Sequence, residues 1–189
     1  ARKWAYLDHA AVAPLSRPAV EAIARWSREA SEEGDTQWLR WASEVEHTRR
    51  VAARLSGANP AEIALMPNTT AGINLVAEGL DWQSGDNVVT LDDEFPSNLY
   101  PWMHLADLGV ETRRTPTDRG RVDLQRLADQ CDKRTRVITV SWIGYATGCR
   151  RDLEAIGQIA RDHEALFFVD AIQGIGAFPL AVDELKLDF

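Results

Sequence analysis

Apolar positions near the start of the chain recur with helical spacing. Val20, Ile23 and Ala24 share one face of a helix predicted over 17–30. Ser16, bracketed by Pro14 and Pro18, supplies its N-cap, and Gly34-Asp35 breaks it. A second helical pattern covers 38–55, with Leu39, Ala42, Val45, Ala52 and Leu55 as its apolar positions. Ser56-Gly57-Ala58-Asn59-Pro60 ends that helix. Short apolar runs and helical patterns alternate from there on. Strands are predicted at 62–66, 87–91, 110–114, 136–142 and 166–169, and helices at 70–79, 98–108, 123–130 and 152–163. Strands separated by helices imply crossover connections. The expected fold is therefore α/β, with a mostly parallel sheet flanked by helices on both faces. We divide the chain into a helical N-terminal segment, 1–56, and a sheet domain, 57–189.

Composition narrows the classes of function. The 189 residues carry 21 Lys+Arg against 29 Asp+Glu, a formal net charge of −8. That balance argues against non-specific binding to nucleic acid or anionic lipid. No apolar run approaches the ~20 residues of a membrane span. Ala1-Arg2-Lys3-Trp4 has no apolar stretch behind it, so no secretory signal is expected. Cys131 and Cys149 do not make a disulfide framework, which points to a reduced, cytoplasmic setting. His9, His47, His104 and His163 are scattered, and no metal site is expected.

Parallel sheets bind ligands at the carboxyl ends of their strands. Four clusters fall there. Asn68-Thr69-Thr70-Ala71-Gly72 opens a helix, where free N–H groups and Thr hydroxyls suit an anion; a capped helix with nothing bound fits as well. Asp170-Ala171-Ile172-Gln173-Gly174 follows the apolar run Leu166-Phe167-Phe168-Val169. A carboxylate there could hold a proton on a heterocyclic nitrogen, and Gln173 could reach the same ligand; a solvated strand end fits as well. Phe95, in Glu94-Phe95-Pro96-Ser97-Asn98, could stack on a planar cofactor or belong to the core. Tyr145, in Ser141-Trp142-Ile143-Gly144-Tyr145-Ala146-Thr147-Gly148, offers a phenol to a ligand or to a structural hydrogen bond.

In this order the clusters resemble the class V aminotransferase family, the fold-type-I pyridoxal-phosphate group of cysteine desulfurases, selenocysteine lyases, kynureninases and isopenicillin-N-epimerase-like proteins. The resemblance runs from Tyr6-Leu7-Asp8-His9-Ala10-Ala11 to Asp188-Phe189. Its most specific piece is Val169-Asp170-Ala171-Ile172-Gln173 followed by Gly176-Ala177-Phe178-Pro179-Leu180. It implies pyridoxal phosphate as cofactor, an amino acid as substrate and a homodimer, with the helix around Trp38 and Trp41 as candidate contact. It implies that Thr69 and Thr70 hold the phosphate and that Phe95 stacks on the ring. Asp170 pairs with the ring nitrogen as the catalytic partner, Gln173 contacts the ring hydroxyl, and Tyr145 lines the same site.

Three departures follow from the same resemblance. Cysteine desulfurases usually have His where Phe95 stands and tend to have Asn at the Tyr145 position. Both loops resemble kynureninases instead, so a kynureninase-like C–C lyase stands beside the desulfurase-like or aminotransferase-like reading. The family's Schiff-base lysine has no counterpart among Lys3, Lys133 and Lys186. We therefore expect a fragment truncated within the large domain and inert alone, with the lysine following Phe189. A non-catalytic binding or assembly module on the same fold is the remaining alternative.

Overall fold

A computed structural model describes residues 4–189; Ala1, Arg2 and Lys3, and the expectations that fall on them, lie outside the described residues. The chain forms two compact units, Ala1–Ala52 and Ala53–Phe189.

The first unit holds α1 (Arg17–Glu33) and most of α2 (Trp38–Ser56). Ser16 caps α1 by accepting from the Ala19 N–H at 3.4 Å. Glu29 joins the two helices, ion-paired with Arg40 and accepting from Trp41 Nε1 at 3.3 Å. The Trp26 and Trp41 rings lie 6.2 Å apart. Trp41 is thus spent inside the helix pair, whereas Trp38 is 64% exposed and Leu39 84%. No residue of α1 is buried.

The second unit is built on a four-stranded sheet in the order β2-β1-β5-β6, all neighbours parallel. Its strands are β1 (Asn87–Leu91), β2 (Glu111–Thr115), β5 (Thr135–Ser141) and β6 (Leu166–Asp170). Side chains alternate between the faces, so β1, β5 and β6 fill two cores. Val89, Leu91, Ile138, Val140, Phe167 and Val169 pack on α5 (Leu124–Asp129) and α6 (Leu153–Asp162). Val88, Val137 and Phe168 pack on the other side against α3 (Thr69–Gly79) and α4 (Tyr100–His104). Helix α6 sits close because Gly157 faces Phe167; a Cβ there would come within 3.1 Å of the ring.

Two expectations change, and two elements were not predicted. Residues 62–66 form no strand: Pro60–Glu62 make a 3-10 turn and 63–66 are irregular. Glu62 is drawn into that turn, its carboxylate accepting from the Asn59 N–H at 2.7 Å. The helix predicted over 98–108 is one α-helical turn between 3-10 turns, Pro96–Asn98 and Leu105–Leu108. Pro101 fits only near a helix start. An unpredicted hairpin joins β3 (Thr117–Asp118) to β4 (Arg121–Val122) through Arg119 and Gly120, both at positive φ. Gly120 is required there, since a Cβ would meet Thr147 Oγ1 at 2.4 Å. The short helix α7 (Val182–Leu185) was also unpredicted.

Phe167, 2% exposed, fills the α5/α6 core. Phe167→Ala should cost about 3–5 kcal/mol in urea unfolding, while Leu39→Ala should stay within about 0.5 kcal/mol. Equal effects would contradict this placement of the core.

Candidate active site

The site lies at the carboxyl edge of the sheet, on the face that packs against α3 and α4. Asp170 ends β6 on the same face as Phe168. It is buried, and its Oδ1 accepts from the Ile172 N–H at 3.0 Å. Burial pushes its carboxyl above the usual carboxylate range, with only that N–H opposing. Its strand partner is Ser141, and the Trp142 N–H donates to the Asp170 carbonyl at 2.9 Å. The turn beyond Asp170 carries half-buried Gln173 and presses on the Trp142 ring, where only a glycine fits at 174: a Cβ would come within 2.2 Å.

Helix α3 starts at the same edge. Asn68 caps it, accepting from the Ala71 N–H at 2.8 Å. The N–H groups of Thr69 and Thr70 precede the first intrahelical bond and remain available. The Thr70 hydroxyl donates to Ser97 Oγ at 2.9 Å, which draws the α3 N-terminus to the loop after β1. That loop carries Phe95, 45% exposed, and the Tyr145 ring meets it edge-on with centroids 5.1 Å apart.

A buried polar network that motif reading did not find supports these loops. Glu94 accepts from Ser141 N–H at 2.8 Å, from the Ser141 hydroxyl, from Asn98 Nδ2 at 3.1 Å and from Arg151 Nη1 at 2.7 Å. Asn98 Oδ1 in turn accepts from Thr139 Oγ1 at 2.8 Å and Trp102 Nε1 at 3.3 Å. Arg151 also reaches the Ser141 carbonyl at 2.7 Å and Asp93 at 2.6 Å. Burial raises the Glu94 carboxyl above its ordinary range, opposed chiefly by Arg151 and the Ser141 bonds. In the sequence Glu94 follows two other acids and Arg151 sits in a charged run, so both read as surface residues. The available signal was position: Glu94 immediately precedes Phe95 at a strand end.

The structure therefore links Thr70, Phe95, Tyr145 and Asp170 through Ser97, Glu94 and Ser141. Thr69 lies beside Thr70, and Gln173 lies in the turn after Asp170. Among the described residues the lysines, Lys133 and Lys186, are elsewhere. Lys133 precedes β5, on the amino side of the sheet. Lys186 precedes Phe189, whose N–H donates to the Phe167 carbonyl at 3.3 Å and whose carbonyl accepts from Val169 at 3.0 Å, the pattern of a parallel neighbour of β6. Both cysteines are free, and burial pushes the Cys131 thiol up to about 11, leaving it a poor nucleophile at neutral pH. Among the described residues no group of three or more His, Cys, Asp or Glu is arranged to hold a metal ion, and no helix is long and apolar enough to cross a membrane.

Residues 5–189 match the family model described as aminotransferase class-V. The chain is 36% identical over 193 residues to a probable cysteine desulfurase of Methanothermobacter thermautotrophicus, covering 100% of this chain and 48% of that protein. The solved cysteine desulfurase of Thermococcus onnurineus, in its apo form, superposes with a TM-score of 0.85 at 30% identity, over 97% of this chain and 48% of the other. A variant of a cystine C–S lyase, with glycine covalently linked to its pyridoxal-phosphate cofactor, superposes with a TM-score of 0.89 at 25% identity, over 97% of this chain and 50% of the other. The chain spans about half the length of the curated relatives it matches. The family match over residues 5–189 shows that the chain belongs to the aminotransferase class-V family.

Proposed function

We propose that this chain contributes the cofactor-binding half of a site in a pyridoxal-phosphate enzyme acting on an amino acid. Asp170 carries the reading. A buried carboxylate with one hydrogen bond and a raised pKa lacks a positively charged partner, and a protonated ring nitrogen is such a partner. The other groups fit the same ligand. The open helix start at Thr69 and Thr70 suits a phosphate, and Phe95 offers an aromatic surface that remains 45% exposed.

In this reading Asp170 holds the proton on the ring nitrogen. Thr69 and Thr70 bind the phosphate through their N–H groups and the Thr69 hydroxyl, the Thr70 hydroxyl being engaged with Ser97, and Phe95 stacks on the ring with Tyr145 at its edge. Gln173 contacts the ring hydroxyl. Bound pyridoxal phosphate supplies an electron-withdrawing ring that stabilises negative charge developing on the amino acid. The lysine that such chemistry needs is proposed to come from sequence following Phe189, in a cytoplasmic homodimer.

The desulfurase relatives support cysteine as substrate. The Phe95–Tyr145 pair favours a second reading, a kynureninase-like C–C lyase, because a phenylalanine cannot transfer a proton. Full-length protein with pyridoxal phosphate, assayed with L-cysteine and with L-kynurenine, separates them: sulfide or persulfide release marks the first and alanine from kynurenine the second. Saturable cofactor binding with no turnover of any amino acid would instead mark a binding module.

Four outcomes are expected in the full-length protein. Phe95→Ala should weaken pyridoxal-phosphate binding by about 1 kcal/mol or more, while Phe95→His stays closer to the parent; equal affinities in all three would make Phe95 a packing residue. Asp170→Ala should lower turnover by several orders of magnitude. For the apoprotein the sign runs the other way. A carboxyl whose folded pKa is raised costs stability as pH climbs through its ordinary range toward the raised value. Asp170→Asn should therefore make the apoprotein more stable than the parent at pH 7 by about 1 kcal/mol or more, with the difference shrinking toward pH 3. Urea midpoints at the two pH values measure this, and an equal difference at both would reject it. Finally, sedimentation at micromolar concentration should show a dimer, with exposed Trp38 and Leu39 as candidate contacts; a monomer would reject the assembly.

A further inference from the structure

The Arg151–Glu94 pair is an expensive way to fold a loop. The Arg151 side chain is 1% exposed and that of Glu94 0%. Such pairs gain little net stability over apolar packing of equal volume. This one also leaves the Arg151 Nε buried without a partner. What it does specify is geometry. The guanidinium fork reaches three acceptors at once: Glu94 Oε1, the Ser141 carbonyl and Asp93 Oδ1, at 2.7, 2.7 and 2.6 Å. Two of these belong to the loop after β1 and the third ends β5.

Arg151 itself closes the loop that follows β5. Its N–H donates to the Trp142 carbonyl at 2.9 Å, the Gly144 N–H donates to the Cys149 carbonyl at 3.0 Å, and Ile143 and Arg150 form a bridge. Tyr145 sits at the far end of this closed loop, and Phe95 follows Glu94 directly. The two rings that meet at 5.1 Å are thus carried by the two loops that one guanidinium ties together.

We infer that Arg151 is a positioning residue for the cofactor site: by gripping Asp93 and Glu94 from the base of the Trp142–Arg151 loop, it fixes Phe95 against Tyr145 for stacking. This inference rests on the pyridoxal-phosphate reading. Lysine cannot replace it, because a single ammonium cannot span the three acceptors.

A double-mutant cycle on the full-length protein tests it, read as pyridoxal-phosphate affinity by titration of the apoprotein. Arg151→Lys should weaken binding by about tenfold, and Phe95→Ala by a similar factor. If Arg151 acts through Phe95, the double variant binds no more weakly than the weaker single variant. A product of the two effects, about a hundredfold, would overturn the inference, as would parent-like affinity in Arg151→Lys. Thermal melting identifies a variant that does not fold. In that event Asp93→Ala, which removes one arm and leaves the Glu94 contact, should weaken binding by about threefold and non-additively with Phe95→Ala; no change there would overturn it too. A parent protein that binds no pyridoxal phosphate rejects the functional reading and the inference together. A parent that binds, with additive variants, rejects the inference alone.

Discussion

A carboxylate and a guanidinium buried side by side at the sheet edge hold this half-site together. Glu94 satisfies the Ser141 backbone and hydroxyl, Asn98 and Arg151 at once. Removing any one partner strands a desolvated polar group. The loop after β1, the end of β5 and the base of the following loop therefore have little freedom to move separately. Because Ser141 is paired with Asp170 across the strands, the constraint extends to the carboxylate that the proposed chemistry uses. The Thr70–Ser97 bond ties in the start of α3.

The sheet makes this possible through its two-sided burial. With helices on both faces, alternation along β5 sends Val137, Thr139 and Ser141 to the α3/α4 side and Ile138 and Val140 to the other. Polar residues accumulate on one face only near the carboxyl ends, where Thr139 and Ser141 find Asn98 and Glu94. At the amino ends Asn87 is buried too, but it is matched by Thr135 and Asp132 and serves the fold alone. Asp170 differs: it ends a strand, is buried, and has a single N–H in the role that several donors fill for Glu94.

Elements with a strong period were legible in the sequence. Strand β1 is apolar enough that its predicted and observed limits coincide, and α6 shows its buried face through Leu153, Ile156 and Ala160. Elements fixed by local turn chemistry were not. The two-residue strands β3 and β4 are too short to show alternation, and 62–66 had strand-like composition yet begins in a 3-10 turn and enters no strand. The positions of Phe95, Tyr145 and Asp170 at one edge followed from strand ends, whereas the strand expected before Thr70 does not form and the Thr70–Ser97 bond brings that residue to the edge. The Glu94–Arg151 pair did not, because its partners are 57 residues apart and charged residues in sequence carry no mark of burial.

Asp170 is proposed to face a cofactor ring whose phosphate sits at the start of α3. A crystal structure of the full-length protein grown with pyridoxal phosphate tests it most directly. The ring nitrogen is expected within hydrogen-bonding distance of an Asp170 carboxylate oxygen, the phosphate on the Thr69 and Thr70 N–H groups, and the ring against Phe95. A phosphate bound at the amino edge of the sheet, or a ring nitrogen facing a group other than Asp170, would contradict it.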